Sequence, residues 1–163
     1  CRGYGVMQGY YKKPEETAST IDVHGWLHSG DMATMRTDGT VRFLGRYKEM
    51  LKVGGENVDP IEVEALLLQH PAVRQVKVVG VPDPRLHEVA CACVILHPNT
   101  QLEPAALLAG CRGQVASFKI PRYVLYMQDY PMTASGKVQK FKLREMSMDS
   151  LGLRAETPVS QGQ

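Results

Sequence analysis

Lys137 closes the run PMTASGK at residues 131–137, directly behind a Ser135-Gly136 turn. A glycine there lets the backbone approach a ligand closely. The long lysine stem then sets an ammonium into the space beyond, and a compact cation of that kind suits a phosphate or a carboxylate. The plain alternative is an exposed lysine opening a helix, where its charge opposes the helix dipole. Asp31 ends the run GWLHSGD at residues 25–31. A carboxylate accepts several hydrogen bonds and so matches a pair of neighbouring hydroxyls on a sugar, although an aspartate capping a turn at a strand end uses the same chemistry. Arg46 could add hydrogen bonds to the same sugar, or form a surface ion pair worth about 0–1 kcal/mol. Lys48 and Glu49 follow Gly45-Arg46 at once, and a short apolar strand, residues 50–53, then breaks on Gly54-Gly55 before a helix start at Asp59-Pro60. A charged joint, a hairpin and a helix in that order read as one part built to move against another.

Other chemistry is poorly supplied. The five histidines are scattered without ligand spacing. Cys91 and Cys93 alternate on an apparent strand, VACACVIL, with no further ligands nearby, so no metal site is predicted. Buried, reduced thiols in a core strand are expected instead, which favours a reducing intracellular compartment. The net charge of +2 gives no bulk electrostatic argument for a nucleic-acid partner. No apolar run approaches the ~18 residues of a membrane span, so no transmembrane segment is predicted. The chain opens on Cys1 in a glycine-rich stretch with no initiator methionine and is expected to be a fragment of a longer protein, with any targeting signal outside it.

Two kinds of structure must position these residues. Residues 1–47 read as β-rich, with a short helix near Pro14 and a hairpin through Asp38-Gly39, and are too short to bury a core of their own. Residues 48–151 change to mixed α and β. Asp59 is a good N-cap with Pro60 in the first helical position and Glu62 three residues after the cap, the Asp version of a capping box. Residues 73–81, 89–96 and 123–127 read as strands. Thr100–Glu103 again resembles a capping box, before a helix carrying Leu107, Leu108, Cys111 and Val115. A basic helix spans about 139–150, and Lys140, Lys142 and Arg144 read as its solvated face. A disordered tail is expected over 152–163. The fold class predicted is therefore α+β: a small C-terminal mixed α/β domain, a three-stranded sheet with helices, preceded by a β-rich remnant of a larger domain.

GWLHSGD, GRYKEMLKVGGENVDPIEVE and PMTASGKVQKFKLR occur in that order. Their order and spacing resemble the C-terminal third of the acyl-adenylate-forming enzymes, which comprise acyl-CoA synthetases, luciferases and peptide-synthetase adenylation domains. QVKVVGV, VACACVIL, SFKIPRYV and GKVQKFKLRE are similar to the medium-chain group that includes acyl-CoA synthetase family member two.

The resemblance implies that residues 1–47 end the large N-terminal adenylation domain and that 48–151 are the C-terminal lid. It implies an ATP-dependent ligase that makes an acyl-AMP, from a medium-chain fatty acid in the nearest group, and passes the acyl group to CoA, with Mg2+ as a cofactor. Asp31 would bind the ATP ribose and Arg46 would assist there. Lys48 would be the hinge, and Lys137 would contact the carboxylate and α-phosphate. Gly55 would bring its hairpin beside the CoA channel in the second step. Lys52 and Glu56 lie on that hairpin without an implied role. The phosphate loop and the acyl pocket would lie in the N-terminal domain, so the fragment alone is expected to be inactive. A mitochondrial location is implied by the family only. His87-Glu88 stands where Gly-Glu is usual. Two other readings stay open: a non-catalytic lid or interaction module, and a peptide-synthetase adenylation domain, which would be followed by a carrier-protein domain.

Overall fold

The computed structural model describes residues 1–153. The chain forms two compact units, Cys1–Glu49 and Met50–Gln163.

In the first unit, helix α1 (Pro14–Thr20) starts on Pro14, whose missing N–H costs nothing at that position. Strands β1 (Asp31–Met35) and β2 (Val41–Arg46) form an antiparallel hairpin with a register shift between Met32 and Ala33. Asp38 stabilises its turn, Oδ1 accepting from the Thr40 N–H at 2.8 Å. Only Gly45 of the two strands is buried, while Met35, Val41 and Phe43 are exposed.

The second unit contains β3 (Leu51–Val53), β4 (Glu56–Val58), α2 (Pro60–Leu67), β5 (Val73–Asp83), β6 (His87–Leu96), α3 (Pro104–Ala109), β7 (Tyr123–Tyr126) and α4 (Lys140–Ser150). β6 is the central strand. β5 pairs along nearly all of one edge, antiparallel, and β7 pairs with Cys91–Val94 of the other edge, parallel. β3 touches β6 through the single pair Val53↔His87, with β4 outside it. The α+β class is as expected, but the sheet has five strands rather than three, because the β3–β4 hairpin joins it through that one pair.

Val89–Ile95 is buried throughout, so both faces of β6 are covered, and its small residues Ala90, Cys91, Ala92 and Cys93 keep that centre thin. α4 packs Leu143 and Ser147, one turn apart, into this core. The Ser147 hydroxyl donates to the Leu143 carbonyl at 2.8 Å and lies 3.2 Å from Cys93 Sγ. Tyr130 donates its phenol to the Cys93 carbonyl at 2.8 Å. The cysteines are free thiols, and Cys91 is pushed up in pKa by its hydrogen bond to Cys93 and by burial.

Several local expectations need correction. Asp59 caps α2, Oδ1 accepting from the Ile61 N–H at 2.9 Å, but Glu62 does not reach back to complete the box. Its carboxylate accepts from Lys119 Nζ at 2.7 Å, a tertiary contact 57 positions away that outcompetes the local one. Thr100 caps nothing: its hydroxyl donates to His97 O, and α3 starts from Glu103 with Pro104. Cys111 and Val115 lie beyond α3, which ends at Ala109. Arg144 is not merely solvated, since its Nε donates to the Gly80 carbonyl at 2.8 Å. Gly152 and Leu153, expected in the tail, instead close α4. Gly152 adopts φ 64°, and N–H groups of Gly152 and Leu153 reach back to Asp149 O and Met148 O in a Schellman motif. The rest of the tail expectation lies outside the described residues.

Candidate functional site

Asp31 and Arg46 sit directly opposite each other at the open end of the β1–β2 hairpin. Arg46 donates from Nε to Asp31 Oδ1 at 2.8 Å, with both side chains partly exposed. That contact uses one of the five guanidinium N–H donors and one carboxylate oxygen, so the pair retains donors and an acceptor for a polyhydroxyl ligand. The approach to Asp31 is shaped by Asp22, which accepts from the backbone N–H groups of His24 and Trp26 at 2.9 Å and pairs with His28 Nε2 at 3.1 Å. The Trp26 N–H, with His28 and His24 behind it, holds the Asp22 carboxyl below the usual carboxylate range. Ser29 Oγ then accepts from the Asp31 N–H at 3.2 Å. Lys48 lies in a one-turn 3₁₀ helix, Tyr47–Glu49, which ends where the first unit ends.

Gly54 and Gly55 form the two-residue turn between β3 and β4, at φ 58° and 93°. Both central residues of this turn need positive φ, which glycine alone supplies without penalty. A side chain at Gly55 would meet nothing within 4 Å, so the hairpin tip is open. Lys52 Nζ donates to Asn57 Oδ1 across the hairpin. Glu56 is exposed.

Lys137 is held by its loop rather than by a helix. The Gly136 N–H donates to Thr133 O at 3.0 Å, and the Thr133 N–H donates to Lys137 O at 2.8 Å. Thr133 Oγ1 accepts from the Lys137 N–H at 3.0 Å and lies 3.0 Å from Ser135 Oγ. Met132 and Val138 bridge behind this turn, and the Gln139 side-chain amide donates to Met132 O at 2.8 Å. The backbone of Lys137 is thus fixed on both sides, while its ammonium is exposed and makes no ion pair or hydrogen bond among the described residues. A rigidly based, unpaired cation is the arrangement that stabilises an anion with little reorganisation.

The structure brings Asp31 and Arg46 together. Gly55 and Lys137 stand on separate turns of the second unit, with no hydrogen bond or ion pair between those turns among the described residues. Three supporting residues escaped the sequence reading. Thr133 organises the lysine turn, and a threonine four positions before Lys137 is the signal that could have marked it. Asp83 accepts from the N–H groups of Arg85 and Leu86 at 2.9 Å and pairs with Arg122 at 2.8 Å. Glu88 binds the hairpin backbone. The Asp83 turn is local, an aspartate accepting from N–H groups two and three positions on, but its pairing with Arg122 and the Glu88 contact are tertiary and no local pattern announces them. No group of three histidine, cysteine or carboxylate side chains converges among the described residues.

Residues 62–137 match the family model of the AMP-binding enzyme C-terminal domain. The chain is 51% identical over 152 residues to YngI of Bacillus subtilis (strain 168), covering 93% of this chain and 28% of that protein. It is 44% identical over 152 residues to the mitochondrial medium-chain acyl-CoA ligase ACSF2 of Macaca fascicularis, covering 93% of this chain and 25% of that protein. The chain thus spans about a quarter of the length of the curated relatives it matches. Among solved structures, ATP-bound MatB from Rhodopseudomonas palustris superposes with a TM-score of 0.83 at 36% identity, over 89% of this chain and 29% of that one. Residues 62–137 thus carry an AMP-binding enzyme C-terminal domain, and the relatives that the chain matches include acyl-CoA ligases.

Proposed function

We propose that this chain is the C-terminal part of an ATP-dependent acyl-CoA ligase acting on a medium-chain fatty acid. In the first step a carboxylate oxygen of the acid attacks the α-phosphorus of ATP, the bond to pyrophosphate breaks, and acyl-AMP forms. In the second, the CoA thiol loses its proton, its sulfur attacks the acyl carbonyl, and AMP leaves. The large N-terminal domain, of which residues 1–47 are the end, supplies the phosphate loop and the acyl pocket. Residues 48–151 act as its lid.

Each residue has a part suited to its chemistry. Asp31 accepts from the ribose hydroxyls and Arg46 supports the same sugar with its remaining donors. Lys137 bridges the acid's carboxylate and the α-phosphate, two anions that repel until a cation lies between them; a fixed donor of this kind is typically worth ~10²–10³ in rate. That cation would obstruct the thiol, so rotation about Lys48 withdraws it and brings in the open Gly55 tip. The observation that carries this reading is the unpaired Lys137 ammonium on a turn whose backbone is hydrogen-bonded on both sides. A reducing compartment suits the free cysteines, and the ACSF2 relatives, named as mitochondrial, favour a mitochondrial setting.

The test uses the full-length ligase. Lys137→Ala should lower acyl-adenylate formation, read by ATP–pyrophosphate exchange with octanoate, at least 100-fold. It should spare thioester formation from supplied octanoyl-adenylate and CoA. Gly55→Leu should do the reverse, with a thermal melt checking that the strained turn still folds. Equal losses of both half-reactions in both variants would refute the two-position scheme. A full-length protein inactive with every acid would favour a non-catalytic lid.

A further inference from the structure

The β3–β4 hairpin, which carries Gly55, buries Leu51, Val53 and Val58 in the core but shares little backbone pairing with the rest of its sheet. One backbone pair, Val53↔His87, links it to β6. The Gly54 N–H adds a bond to Leu86 O at 3.0 Å. Beyond that pair the ladder stops, and the Lys52 N–H donates instead to a side chain, Glu88 Oε2, at 2.8 Å. A carboxylate acceptor makes this roughly twice as strong as a neutral bond. It stands where the next rung of the ladder would be.

Glu88 is itself held in place by an absence. A Cβ on Gly80 of β5 would lie 2.2 Å from Glu88 Oε1 and 2.4 Å from its Cδ. The glycine therefore leaves a slot that the Glu88 side chain fills. The carbonyl of Gly80 accepts from Arg144 Nε on α4 at 2.8 Å, which pins the floor of the slot to the helix. The chain of contacts runs from α4 through Gly80 and Glu88 to the hairpin backbone.

We infer that Glu88 is a positioning residue for the thioester-forming step, setting the angle at which the Gly55 hairpin leaves the sheet; the inference rests on the two-step reading above. Lys52 is exposed, so water can replace the lost acceptor with little cost to folding. The hairpin's direction, not the domain's stability, is what the carboxylate secures. Displacement of a positioned element by about 1 Å can cost 10²-fold in rate.

The experiment measures both half-reactions of the full-length ligase in four further variants, using octanoate and octanoyl-adenylate as above. Glu88→Ala should lower kcat for thioester formation tenfold or more while adenylate formation stays within twofold. Glu88→Gln keeps an oxygen acceptor and should return thioester formation to within about threefold of the parent. Gly80→Ala leaves the carboxylate present but forces it out of its slot, and should reproduce the Glu88→Ala loss. Glu88→Ala combined with Gly80→Ala should be no worse than either alone. Equal loss of both half-reactions, a Gln variant as impaired as Ala, a silent Gly80→Ala, or additive losses would each overturn the inference. Lys137→Ala and Gly55→Leu, run alongside, separate the two failures. If they do not split the half-reactions, the two-step reading falls. If they do and Glu88→Ala fails to follow Gly55→Leu, only the role of Glu88 falls.

Discussion

Glu64→Ala is expected to cost this chain about 1–4 kcal/mol of stability. β5 is the outer strand of its sheet, so the N–H groups on its far side have no strand to meet. Helix α2 covers that edge, and Glu64 Oε1 accepts the Val78 N–H at 2.9 Å while Oε2 accepts from Lys77 Nζ at 2.8 Å. Glu64 is 8% exposed and Val78 1%. Removing the carboxylate leaves the Val78 N–H buried without a partner, at about 1–3 kcal/mol. The Lys77 side chain is 34% exposed, so losing its ion pair adds only about 0–1 kcal/mol. For a unit of roughly 100 residues each kcal/mol moves Tm by about 4–8 °C, so a fall of roughly 4–30 °C is expected. Glu64→Gln keeps an oxygen for Val78 and should cost about 1 kcal/mol or less. Urea titrations of the two variants and the parent, followed by circular dichroism, provide the comparison. If Ala and Gln cost the same, or Ala costs under about 1 kcal/mol, the edge-capping account is wrong.

Two further outcomes concern the β5–β6 connection, besides the half-reaction splits expected for Lys137, Gly55 and Glu88. His87 holds φ 65°, a left-handed conformation that penalises any side chain. His87→Gly should therefore raise stability by about 0.5–1 kcal/mol after glycine's extra unfolded-state entropy is subtracted, and a lowered urea midpoint would count against this. Asp83 titrates below its ordinary value, because the N–H groups of Leu86 and Arg85, and then Arg122, favour its charged form. A carboxyl depressed in the folded state contributes stability that is complete above the unfolded value near ~3.9 and is lost as pH falls through the lower folded value. Asp83→Asn should accordingly flatten the loss of stability below about pH 4, and identical acid-unfolding slopes in the two chains would contradict the linkage.

Much of the second unit's secondary structure was legible because its signals are local. Asp59-Pro60 marks a helix start through a missing N–H and a cap acceptor, and both operate in the structure. The apolar runs at 73–81 and 89–96 announced strands, and β5 and β6 extend them only to Asp83 and back to His87. The Thr100 reading failed for the same reason that others succeeded: a capping pattern is only a set of donors and acceptors, and here nearer partners took them. Glu62 was lost to Lys119, which only the fold brings near.

Residue types, motif order and the resemblance they carry named Asp31, Arg46, Lys48, Gly55 and Lys137 as candidates and pointed to the AMP-binding enzyme C-terminal domain that residues 62–137 match. Asp31, Arg46 and Lys137 follow from what a carboxylate, a guanidinium and a long cationic stem behind a glycine turn can do, whereas the parts given to Lys48 and Gly55 are what the resemblance implies. The tertiary structure alone decided how these groups are held. It paired Asp31 with Arg46 across a hairpin. It built the lysine turn around Thr133, and it assigned Glu88 to a backbone N–H 36 positions away in the chain. It also decided which polar groups are satisfied at the sheet edge and in the core, since Glu64 reaches Val78 and Ser147 reaches Cys93 only after α2 and α4 have packed. The physical reason is range. Turn chemistry and capping act over a few residues and are written in sequence order, whereas the partner of a buried or positioning polar group is whichever segment the packed sheet and helices place beside it.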